Sequence, residues 1–207
     1  MTDLLLASNN PGKVKQLRQI LPDDVQIVTM ADLGLPEPLE DGETFAANAS
    51  IKALAGARAS GLLTLADDSG LEIDALGGQP GVRSARFAGE DASDADNIAL
   101  VLERLAETPE DRRQARFVCV LALANPAGIL ATATGTCSGS VGYETHGSNG
   151  FGYDPIFVMQ DGRTMAEIAP EEKNAISHRS VALREMLPSL LIAIGTYRFA
   201  DESAGHQ

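Results

Sequence analysis

No apolar run in the 207-residue chain approaches the ~20 residues that a bilayer-crossing helix needs, although 44% of the residues are hydrophobic. No basic segment precedes the first strand-like run, Asp3–Ala7, so no secretory leader is read and a cytoplasmic protein is expected. Cysteine is scarce. Cys119 and Cys137 are too few for a disulfide framework and lack metal-ligand spacing, which leaves buried thiols in a reducing compartment. Positive charge is scarce too. A net charge of −13 excludes general binding to nucleic acid or an acidic membrane, so an anionic ligand must be held by a few placed cations. Aromatics make up 4% of the chain, and no internal repeat or separating linker interrupts it. The length suits one domain or two closely joined lobes, read here as a single α/β domain over 1–198. The polar tail, 199–207, is expected to be disordered.

The most informative stretch is 65–89. An apolar run (Leu62, Leu63, Leu65) ends in adjacent carboxylates, Asp67 and Asp68, followed by Ser69-Gly70, an alternating strand (Leu71, Ile73) and a loop rich in glycine and proline. Neighbouring side chains on extended backbone point to opposite faces, so one aspartate faces any chemistry while the other braces the loop. A strand-end carboxylate beside such a loop suits an oxygen-ligated Mg2+. An acidic turn with no chemistry is the alternative.

Elsewhere, Asp3–Ala7 runs into Ser8-Asn9-Asn10-Pro11-Gly12-Lys13, with Asn10 suited to cap a helix and Pro11 to its first position. Free amides and a lysine at a helix start fit a phosphate, although the loop lacks the Walker A pattern. Pro36 and Pro38 keep 34–42 irregular, and a helix is expected from about Thr44 to Ser60, with Asn48 and Lys52 four apart on one face. Ser93 or Asp94 can cap a helix to about Ala106. Arg116–Leu123 and Ile129–Cys137 read as a hairpin turning at 125–128, which makes the sheet mixed. In 147–154, three glycines allow close backbone approach while Phe151 and Tyr153 offer faces to a planar base. Ser177-His178-Arg179 opens a last amphipathic helix that Pro188 must kink or restart. Lys13, Lys52, Lys173, His178 and Arg179 supply cations, and Glu40 and Asp68 supply carboxylates suited to a metal. Loops at one edge of an α/β sheet converge on a crevice, so this set describes a nucleoside triphosphate site.

In family order, Ser8–Lys13, Glu40 with Thr44–Ala53, Ala66–Leu71, Gly77–Arg86, Gly150–Phe157, and Lys173 with Ser177–Arg179 resemble the non-canonical purine nucleoside triphosphate pyrophosphatases, the inosine/xanthosine triphosphatase family of house-cleaning enzymes, and bacterial members above all. Ser8 stands where many members carry threonine. The resemblance implies an elongated mixed β-sheet with flanking helices, two lobes around a central nucleotide-binding cleft, and a homodimer. It also implies Mg2+-dependent hydrolysis of ITP, dITP, XTP and dXTP to the monophosphate and pyrophosphate. Ser8, Asn9, Asn10, Pro11, Gly12 and Lys13 would then hold the triphosphate, assisted by Lys52. Glu40 and Asp68 would hold Mg2+, Asp68 would also accept a proton, and Ser69 would contact substrate. Phe151, Gly152, Tyr153, Asp154, Lys173, His178 and Arg179 would bind the base. Two rivals are a related pyrophosphatase for modified pyrimidine or canonical nucleotides, and a nucleotide sensor without turnover.

Overall fold

The computed structural model describes residues 2–8, 14, 17–18 and 21–204, without the side chains of residues 2 and 197–204. Its strands are β1 (Thr2–Leu6), β2 (Val25–Thr29), β3 (Leu63–Ile73), β4 (Gln114–Asn125), β5 (Gly128–Val141) and β6 (Phe157–Val158). They form one sheet in the order β2-β1-β3-β4-β5-β6. β1 is parallel to β2 and to β3, while β6 is antiparallel to β5. Only Pro126 and Ala127 join β4 to β5, a connection that only antiparallel neighbours allow. The sheet is therefore mixed, as the sequence led one to expect. The helices are α1 (Phe45–Ser60), α2 (Asp94–Arg104), α3 (Pro170–Ile176) and α4 (His178–Ala204). Val14, Leu17 and Arg18 are also helical. Among the described residues, no helix is long and apolar enough to cross a membrane.

The chain forms two compact units. The first draws on Met1–Asp68, Val120–Thr134 and Ala182–Gln207. Thr44 starts α1 by accepting the Ala47 N–H, and Gly61, in the left-handed region that a side chain would resist, ends it by donating to Ala57 O. The buried stripe of α1 is Phe45, Asn48, Ala49, Lys52, Ala53, Gly56 and Ala57. Its small residues let the helix approach the sheet closely: a Cβ on Gly56 would meet Thr64 at 3.0 Å and Leu5 at 3.1 Å. Two polar residues within this stripe, Asn48 and Lys52, are thereby carried into the interior.

The second unit draws on Ser69–Cys119 and Gly135–Val181. Its core joins Leu71 and Ile73 of β3, Ile98 and Val101 of α2, Phe117 of β4 and Phe157 of β6. A capping box starts α2: Ser93 accepts the Asp96 N–H while the Asp96 carboxylate accepts the Ser93 N–H. Glu110–Arg112 form a short 3-10 turn, and Arg113 beside it is 1% exposed. Its guanidinium donates to the carbonyls of Leu105, Thr108, Val141 and Gly142 and lies 4.2 Å from the Tyr143 ring centre.

One local expectation is corrected. β3 does not stop at Asp67-Asp68 but runs unbroken from Leu63 to Ile73 with both carboxylates inside it. The acidic pair is neither a turn nor a strand end. Charge normally stops a buried strand, but Lys52 compensates Asp68 from sixteen residues away, a partnership that local reading cannot see. Gly70 further along the strand leaves room for Ser84, whose hydroxyl accepts the Leu71 N–H at 2.8 Å. The last helix, α4, contains Pro188 and is continuous through it to Ala204.

Candidate functional site

In the first unit, α1 and β3 present a small charged cluster. Lys52 Nζ lies 2.9 Å from Glu40 Oε1 and 3.4 Å from Asp68 Oδ1, so one ammonium bridges two carboxylates. Lys52 and Asp68 are 9% and 8% exposed. Burial alone would lower the Lys52 pKa, but Asp68, Glu40 and Asp67 outweigh it and hold the ammonium above its ordinary value. Burial raises the Asp68 pKa, Lys52 pulls it down, Glu40 pushes it up, and the balance stays above the ordinary aspartate value. Asn48 Oδ1 accepts the Gly42 N–H at 2.8 Å and so ties the irregular segment after Glu40 to α1. Its amide group also lowers the Asp68 pKa by proximity, yet neither Asn48 Nδ2 nor Asp68 Oδ2 completes a well-formed hydrogen bond.

A divalent cation suits these residues. Asp68 Oδ2 is a buried anionic oxygen without a good partner, and Glu40 brings a second carboxylate to the same ammonium. No cluster of three or more His, Cys, Asp or Glu gathers as a metal site among the described residues. Two carboxylates with the remaining positions left to water and phosphate is the ordinary protein share of a Mg2+ shell. Ser8 is described, half-buried just past β1. Asn9, Asn10, Pro11, Gly12 and Lys13, expected at the phosphates, lie outside the described residues.

In the second unit a cavity of about 150 Å³ gathers eight of the expected residues: Ser69, Phe151, Gly152, Tyr153, Asp154, Lys173, His178 and Arg179. The loop 150–154 shapes its mouth. Asp154 Oδ2 accepts the Phe151 N–H at 2.9 Å and forms an ion pair with Lys173 Nζ. Gly150 has φ +83°, and a Cβ there would collide with Asp154 Oδ2. The two aromatics serve different ends. Phe151 is 56% exposed, with Lys173 Nζ 5.0 Å and the Arg179 guanidinium 5.9 Å from its ring centre. Tyr153 is 5% exposed, sits in the core, and donates its hydroxyl to Ser84 O at 2.8 Å. Burial and then Asp94 push its pKa well above the ordinary phenol.

His178 and Arg179 occupy the first turn of α4, where Ser177 Oγ accepts the Ser180 N–H. The His178 ring stacks on Phe117 with centroids 4.9 Å apart and 18° between planes. Arg179 Nη2 donates to Ser69 Oγ at 3.2 Å, joining α4 to β3 within the unit. The cavity offers donors (lysine, guanidinium, imidazole, hydroxyls), while Asp154 is committed to Lys173 and to its own loop. A flat heterocycle rich in carbonyl acceptors fits that chemistry.

Seven residues bordering this cavity lay outside the expected set, among them Ser84, Asp94, Asn97 and Phe117. Asn97 is 2% exposed and pins one segment twice, accepting the Ala88 N–H at 2.8 Å and donating to Ala85 O at 3.2 Å. A polar residue on the otherwise apolar stripe of α2 was the available signal. Phe117 carried none, being one apolar residue among many on β4.

The Ham1 family model matches residues 4–189. A dITP/XTP pyrophosphatase of Exiguobacterium sibiricum is 49% identical over 196 residues, covering 93% of this chain and 98% of its own. The dITP/XTP pyrophosphatase of Desulforamulus reducens is 51% identical over 190 residues, covering 90% and 94%. Among solved structures, a HAM1 protein from Coxiella burnetii superposes with a TM-score of 0.86 at 42% identity, covering 93% of this chain and 99% of that one.

Proposed function

The chain belongs to the Ham1 family, and from that premise we propose that it hydrolyses the non-canonical purine nucleoside triphosphates ITP, dITP, XTP and dXTP to monophosphate and pyrophosphate. The observation that carries the reading is the Asp68 carboxylate: buried, with a raised pKa, and with one oxygen on Lys52 while the other completes no hydrogen bond. An aspartate kept only for a salt bridge would satisfy both oxygens. This one retains an oxygen for a water or a cation.

Glu40 and Asp68 would hold Mg2+, which when bound neutralises charge on the triphosphate oxygens. Asp68 Oδ2 orients the attacking water and takes its proton as the new oxygen–phosphorus bond forms at the α-phosphorus. The bond from that phosphorus to the bridging oxygen breaks, and pyrophosphate leaves with the electron pair. Lys52 and Lys13 carry cationic charge to the leaving group. Phe151 stacks on the base, while Lys173, His178 and Arg179 supply donors to its carbonyl oxygens. Adenine places an amino group at the 6-position, which leaves such donors unpaired at about 1–3 kcal/mol each. We further read the enzyme as a cytoplasmic homodimer; sedimentation at micromolar concentration tests the dimer.

The deciding experiment compares ITP, dITP, XTP, GTP and ATP with Mg2+, resolving pyrophosphate from orthophosphate. The expected result is pyrophosphate and monophosphate from the first three, with kcat/KM for ATP at least tenfold lower. Equal kcat/KM for ITP and ATP would sink the carbonyl-recognition argument. Thermal stabilisation by ITP without turnover would favour a sensor instead.

A further inference from the structure

Resting on that reading of the base site, we infer that Asp94 is a positioning residue for the Phe151 platform. It sits at the first position of α2, 58 residues before the loop that it holds, and its Oδ2 accepts the Gly152 N–H at 2.6 Å. The preceding amide, Phe151 N–H, donates to Asp154 Oδ2 at 2.9 Å. Two successive amides flanking the Phe151 ring are thus captured by two carboxylates from different parts of the fold. Asp154 closes the loop upon itself. Asp154 also pairs with Lys173 of α3, and Asp94 adds the tether to α2.

The helix does not need the Asp94 side chain for its own start. Ser93 and Asp96 complete the capping box, with Ser93 Oγ accepting the Asp96 N–H at 3.2 Å and Asp96 Oδ2 accepting the Ser93 N–H at 2.9 Å. The Asp94 carboxylate is left to the loop. α2 is in turn a firm post, because Ile98 and Val101 are buried in the core and Asn97 fastens residues 85 and 88 to it. Phe151 is 56% exposed, with the ends of Lys173 and Arg179 over its ring, so the backbone anchors to either side help set its orientation. Without Asp94 the loop samples orientations in which the ring does not meet the base, and apparent affinity falls by the fraction of competent loop.

The test is a double-mutant cycle of D94A with F151A on the full chain, with D94N as the conservative variant, using dITP and Mg2+. D94A should raise KM about three- to tenfold with kcat within twofold of wild type. D94N, whose amide oxygen still accepts the Gly152 N–H, should return KM to within about twofold of wild type. In the F151A background D94A should add less than twofold, because the group through which it acts is gone. Amide exchange gives a readout that does not depend on turnover: Gly152 should exchange at least tenfold faster in D94A than in wild type, with α2 amides unchanged. An unchanged Gly152 exchange rate, or a D94A effect on KM that persists undiminished in F151A, overturns the inference alone. An F151A variant with wild-type KM overturns the reading of the base site, and the role of Asp94 falls with it.

Discussion

Replacing Lys52 by methionine removes the single ammonium that bridges Glu40 and Asp68 while keeping most of its apolar stem on α1. Two carboxylates are then left facing each other, one of them deeply buried. Breaking a buried ion pair costs about 3–5 kcal/mol, and the partial exposure of Glu40, 31% at its side chain, places the expected loss at the lower end, about 3 kcal/mol. For a chain of this length each kcal/mol moves Tm by about 2–4 °C, so K52M should melt roughly 6–12 °C below wild type at neutral pH. The loss has a pH signature. Burial and Glu40 both raise the Asp68 pKa, and only Lys52 and smaller hydrogen-bonding contributions lower it, so its removal moves that pKa further up. A carboxyl whose folded pKa lies above its unfolded value destabilises the fold when ionised and ceases to do so as pH falls through the folded pKa. The Tm deficit of K52M should therefore shrink as the pH is lowered. Millimolar Mg2+ should raise Tm more in K52M than in wild type, since it supplies the missing positive charge. Thermal melts of both proteins at pH 5, 6.5 and 8, with Mg2+ and with EDTA, measure all three effects. A K52M deficit under 2 °C, or one that does not change with pH, would refute the electrostatic reasoning.

Two further outcomes follow from the second unit. Y153F removes the hydroxyl that satisfies Ser84 O and should cost about 1–2 kcal/mol in chemical denaturation at pH 7. Because burial raises the folded Tyr153 pKa above its unfolded value, the wild-type contribution is complete below the unfolded pKa and lost as pH rises through the folded one, so the difference between the proteins should narrow above about pH 10. G150A places a Cβ against Asp154 at a backbone angle that alanine resists, which should weaken the Asp154–Lys173 pair. KM for dITP should rise at least fivefold with a Tm drop of a few degrees, and unaltered KM would count against a role for this loop in base binding.

How much could be read from the chain varies by residue, and the reason is physical. α1 was legible because Thr44, Gly61 and a stripe of small residues are local signals, and Asn48 and Lys52 lie at helical spacing on that stripe. The β4–β5 hairpin was legible from its turn. β3 was not, since Asp68 inside a continuous strand is compensated by Lys52 of a distant helix. The burial of Arg113 has no local signal either, because four carbonyls gathered by the fold satisfy it. At the base site, the cations and Phe151 were visible as residue types. The division of labour between exposed Phe151 and buried Tyr153 was not, because both follow glycine in one short loop. Asp94 read only as an alternative helix cap. Its partner is an amide 58 residues on, and no local pattern encodes that.

The central claim concerns Asp68, and one rate measures it. Initial rates of pyrophosphate release from dITP should be compared for wild type and D68N at pH 8 with saturating Mg2+, on proteins shown to melt cooperatively. Removing a general base costs about 10²–10⁴-fold, so D68N should retain at most about one hundredth of the wild-type kcat. A folded D68N releasing pyrophosphate at more than about a third of the wild-type rate would contradict the account.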